Sequence, residues 1–154
     1  MNRMLETGLL LAAAGQACLA VLNLNVARIM RWQSDIERMP LLVRQVFHVH
    51  TWFVSAALLI FAVLTWRFAP QIAAGGDPVY RWLACAIGIF WGVRAMLQVC
   101  YYSSSHWRGI PSRTVVHVIL LAVYSSWAVL YLSVGMLPGI GSDTKNPMEA
   151  VHAR

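Results

Sequence analysis

Four long apolar runs decide what this 154-residue chain can fold into. They are Gly8 to Ala27, Val46 to Trp66, Trp82 to Tyr101 and Val115 to Met136. Each has the ~20 residues that a helix needs to cross the hydrocarbon core of a bilayer. None alternates apolar and polar residues, so they read as helices and not as barrel strands. In lipid a spanning helix also satisfies its own backbone hydrogen bonds, as an isolated strand does not. The chain is 59% hydrophobic and 12% charged, too little polar surface to cover a fold in water. Its seven tryptophans and five tyrosines suit the membrane–water boundary.

The first run invites a signal-peptide reading, because Arg3 precedes it and AGQAC (14–18) holds small residues beside a cysteine. The run continues to Ala27 and then meets Arg28 and Arg31, the pattern of a retained span with its anchor. Cys18, Cys85 and Cys100 all lie in apolar stretches and read as small buried hydrophobes, not as a disulfide framework. Residues 28–45 suit a brief amphipathic helix ending at Pro40. Turn chemistry marks 67–81, through Pro70, Gly75-Gly76 and Asp77-Pro78, and 102–114, through Gly109 and Pro111. Residues 137–154 have the composition of a disordered tail. With short connections, consecutive helices become antiparallel neighbours. The expectation is therefore an all-α integral membrane protein, a single domain over 1–154 forming an antiparallel four-helix bundle.

The net charge is +6, but the arginines flank apolar runs instead of lining one solvated face, which argues against nucleic acid. They suit anionic lipid headgroups and topology setting. Arg28, Arg31, Arg38, Arg44, Arg108 and Arg113 fall on one side, and Arg3, Arg67, Arg81, Lys145 and Arg154 on the other. The denser first connection places both termini outside the cytoplasm.

Polar groups at membrane depth are expensive and therefore informative. Arg94 lies inside the third run, where Trp91, Arg94, Gln98 and Tyr101 share one helical face. Ala84, Gly88 and Gly92 form a separate small-residue stripe that permits close helix packing. In the second run His48, Thr51 and Ser55 share a face, with His50 turned about 200° away at ~100° per residue. His117, Tyr124 and Tyr131 share a face in the fourth run, and Gln16 and Asn23 in the first. Asn23, His48, Gln98 and His117 lie near one common side, with Arg94 deeper. His48, Trp91, Arg94, Gln98, Tyr101 and His117 are accordingly the candidate ligand-binding residues, suited to a small molecule, a quinone or a lipid headgroup. A b-type haem would need axial histidines on different helices at similar depth, which His117 with His48 or His50 meets crudely. Those three histidines are also the candidate metal ligands. Catalysis has little support: no HExxH and no carboxylate occurs within a run. The competing reading is an accessory or scaffold subunit that binds a membrane-protein partner or a second copy of itself, with the polar stripe forming interhelical hydrogen bonds.

RQVFHVHTWF (44–53), FWGVRAMLQ (90–98) and HWRG (106–109) before TVVHV (114–118) together resemble uncharacterised small four-helix inner-membrane proteins of bacteria. The resemblance covers most of residues 20 to 136. It implies the bundle and the compartment, and no activity.

Overall fold

Among the described residues six helices follow one another: α1 (Asn2–Leu24), α2 (Val26–Ile29), α3 (Gln33–Glu37), α4 (Leu41–Ala74), α5 (Pro78–Cys100) and α6 (Pro111–Met136). The computed structural model describes residues 2–101 and 111–136, the side chains of 111–113 excepted. The expectations for 102–110 and for the tail fall outside the described residues. The fold is all-α, and α1, α4, α5 and residues Thr114–Met136 of α6 are each long and apolar enough to cross a membrane. The protein is an integral, multi-pass membrane protein on these four helices. Within each of them at most 28% of the most apolar window is buried by the chain itself. The remaining apolar side chains, Trp82 at 77% exposure among them, require lipid as their solvent.

The chain divides into two units. Leu9–Arg67 makes one; the described residues from Phe68 onward, joined by those up to Gly8, make the other. In the first, α1 meets α4 through Asn23, whose Nδ2 donates to Ser55 Oγ (2.9 Å) and to the Thr51 carbonyl (3.2 Å). The end of α1 thus meets the early turns of α4, and the pair runs antiparallel. Both helices bury narrow faces: Leu9, Ala12, Ala13, Gln16 and Ala20 on α1, and Ser55, Leu58, Ala62 and Thr65 on α4. Small residues at helical spacing let backbones approach where no hydrophobic force acts between helices. The connection folds as two short helices, α2 and α3, separated by Arg31 in the left-handed region (φ 57°). Ile36 alone of α3 is buried.

The second unit is built on α5 and α6. Contacts climb one helix as they descend the other: Arg81 Nε donates to the Gly135 carbonyl (3.2 Å), Trp91 packs on Trp127 and Tyr124, and Gln98 reaches His117. This pair is antiparallel too. Two glycines allow its approach. A Cβ on Gly88 would lie 2.8 Å from Leu132 Cγ. A Cβ on Gly135 would lie 2.5 Å from Cys85 Sγ and 3.0 Å from the Arg81 carbonyl oxygen and the Cys85 nitrogen. Gly92, the third member of the small-residue stripe, has room: its nearest neighbour would be Ala128 Cβ at 4.0 Å.

The turn between α4 and α5 is tighter than its composition indicates. Gly75 ends α4 with φ 63°, the conformation glycine adopts at no steric cost. Asp77 caps α5, its Oδ1 accepting from the Val79 N–H (2.8 Å), and Pro78 occupies the first turn. Pro70 lies inside α4 and not in the turn. It removes a backbone donor, yet Ala69, Ile72 and Ala73 around it are buried. Packing of that face carries the helix through, as membrane helices tolerate.

Candidate functional site

Arg94 stands six residues before the end of α5, ~9 Å along its axis. Gln98 is one turn further on, and His117 lies in the second turn of α6, at the same end of the pair. The three side chains form a relay. Arg94 Nη1 donates to Gln98 Oε1 (2.8 Å), and Gln98 Nε2 lies 2.9 Å from His117 Nδ1. Gln98 is only 3% exposed, so these two contacts decide whether its burial is tolerable.

Donor chemistry fixes the direction of this relay. A guanidinium can only donate, so the glutamine oxygen must face Arg94 and its NH2 must face His117. Nδ1 of His117 therefore accepts, which places the proton of the neutral ring on Nε2. The groups at its two ends are donors by chemistry, the guanidinium N–H groups of Arg94 and the Nε2–H of His117. A charged His117 would oppose two donors across the 2.9 Å contact and break it.

Aromatic rings hold the relay in place. Arg94 Cζ sits 4.9 Å from the centroid of the Tyr124 ring, a cation–π distance. Tyr124 stacks on Trp91 (5.2 Å, 23°), and Trp127 meets Trp91 edge-on (4.5 Å, 67°). Trp91 is 1% exposed and its indole Nε1 has no hydrogen-bond partner among the described residues. Such a buried donor is uncommon and costly.

The structure thus brings together four of the sequence candidates, Trp91, Arg94, Gln98 and His117. Tyr101 shares their helical face but caps the end of α5 and is 83% exposed. His48 belongs to the other unit. It is exposed on α4, stands edge-on to Phe47, and lines a groove with Arg28, Arg44 and Glu37. His50 is also exposed. Among the described residues no three His, Cys, Asp or Glu side chains gather into a group able to hold a metal ion. Trp127 was not a candidate from sequence. It follows Tyr124 by one turn, and that spacing beside an aromatic face is the signal that would have found it.

No protein-family model matches the chain, and neither a curated protein nor a solved structure is significantly similar to it.

Proposed function

We propose that the α5–α6 pair binds an oxygen-bearing small molecule within the membrane, a quinone or the headgroup of a lipid. The observation that supports this most is a guanidinium inside an apolar span, bonded through Gln98 to His117 and held beside a buried aromatic cluster. Carbonyl and phosphate oxygens are acceptors that suit a guanidinium. Trp91, Tyr124 and Trp127 supply the aromatic wall that such ligands favour. Tyr101 extends the same face toward the helix end. The protein acts in this reading by binding, in the inner membrane of a bacterium, with both termini outside the cytoplasm.

Native mass spectrometry from mild detergent, with an absorption spectrum on the same sample, tests the reading. Expected is a bound quinone or lipid that Arg94→Leu releases from a bundle of unchanged helicity. Loss of one charge-assisted hydrogen bond would weaken binding by ~10-fold or more. A Soret band would identify haem instead. If Arg94→Leu leaves all bound molecules in place and disrupts a complex with another membrane protein, the arginine serves assembly and the binding proposal fails.

A further inference from the structure

The other unit carries a polar groove that the α5–α6 relay does not involve. It has a volume of about 440 Å³ and lies among the end of α1, the two short helices and the start of α4. That volume is within the range of small-ligand sites. Leu24 and the buried Ile36 contribute apolar lining, and Arg28, Arg44, His48 and Glu37 contribute polar lining. Neither arginine makes a side-chain hydrogen bond or ion pair with another described residue, and neither does Glu37. Two arginines therefore line one groove, and neither is paired with the glutamate that lines it too.

The position of the groove indicates what occupies it. Leu24 closes the apolar helix α1 and Leu41 opens the apolar helix α4, so the groove sits where two spans leave the hydrocarbon. Around it Ile29, Met30, Trp32, Leu41 and Leu42 are exposed, a composition that suits the headgroup and upper acyl region. We infer that this groove holds the phosphate headgroup of an anionic phospholipid, Arg28 and Arg44 donating to the phosphate while the acyl chains lie along the exposed apolar residues. Guanidinium forks match phosphate oxygens in geometry as well as charge. A free phosphate ion would use the arginines and leave the apolar surround without a role, which is why a lipid is the better fit.

The test uses the full chain in neutral detergent, titrated separately with phosphatidylglycerol, phosphatidylcholine and inorganic phosphate, with bound lipid counted by native mass spectrometry. Phosphatidylglycerol is expected to bind at least ~10-fold more tightly than phosphatidylcholine. Arg28→Gln and Arg44→Gln should each weaken it ~5-fold, from the typical strength of one arginine near an anionic lipid surface. Arg38→Gln, on the same connection but outside the groove lining, should leave it unchanged. Glu37→Gln should tighten it by a few-fold, a gain that misfolding cannot imitate. The inference is overturned if Arg38→Gln weakens binding as much as Arg28→Gln, since that means diffuse charge. It is equally overturned if the two lipids bind alike, or if inorganic phosphate displaces phosphatidylglycerol at comparable concentration. Arg94→Leu leaves this groove intact, so the outcome is independent of the relay on α5 and α6.

Discussion

Gln98 is the residue on which the α5–α6 relay turns, because it touches both Arg94 and His117. Gln98→Leu keeps the volume and removes both contacts. It leaves the half-buried guanidinium of Arg94 without its glutamine acceptor and His117 Nδ1 without its amide donor. The expected cost is about 1–3 kcal/mol of stability, read as a lowered unfolding midpoint in detergent, and a midpoint unchanged from the native protein would show that the relay contributes nothing. Asn23→Ala is the comparison in the other unit. It removes the donations to Ser55 and Thr51, and interhelical hydrogen bonds within membranes average only ~0.6 kcal/mol each. A loss near 1 kcal/mol is expected, smaller than at Gln98 because Asn23 carries no charged neighbour in these contacts. The relay was legible in sequence because Arg94 and Gln98 are one turn apart and His117 starts the next span from the same side. The direction of the relay was not, since it depends on which atoms of the amide face which partner.

Where α6 packs against α5, the small residues are unequal. Gly88, with Gly92 and Ala84, was visible as a spacing of four. Gly135 was invisible, because it is a lone glycine near the end of its run and only the partner backbone makes it necessary. Gly135→Ala would force its Cβ against the Cys85 sulfur and the Arg81 and Cys85 backbone, where a flexible side chain cannot yield. Overpacking of this kind costs about 1–3 kcal/mol. Gly92→Ala meets only ordinary contact at Ala128 and gains helix propensity, worth up to about 1 kcal/mol. Thermal unfolding of the two variants should therefore move in opposite directions. A drop as large for Gly92→Ala as for Gly135→Ala would show that the pair packs differently. The α4–α5 turn gives the complementary lesson. Gly75, Asp77 and Pro78 carried their roles openly, as a C-terminal cap, an N-terminal cap and a first-turn proline. Pro70 misled because proline's local preference is outweighed once Ala69, Ile72 and Ala73 are buried.

At the scale of the molecule, four spans of lipid-crossing length impose a parity. An even number of crossings returns the chain to the side it started from, and places the connection after α1 opposite the turn after α4. In the proposed orientation, with both termini outside, Arg28, Arg31, Arg38 and Arg44 on the first connection lie on the cytoplasmic side. Single cysteines report this directly. Ser34 is exposed on α3, and a Cβ at Gly76 would meet nothing within 4 Å, so neither substitution disturbs packing. In intact cells a membrane-impermeant maleimide should label Gly76→Cys and spare Ser34→Cys, with the native protein as background for its three cysteines. Once the membrane is opened, both should react. The reverse pattern would keep the four crossings and invert the charge argument, since the arginine cluster would then face outward. Labelling of both positions from outside would remove α4 as a span. It would also put the groove at Arg28 and Arg44 at the outer lipid surface. The parity follows from helix length and apolar content alone, whereas the sign follows from a handful of arginines, so the labelling pattern reports on each separately.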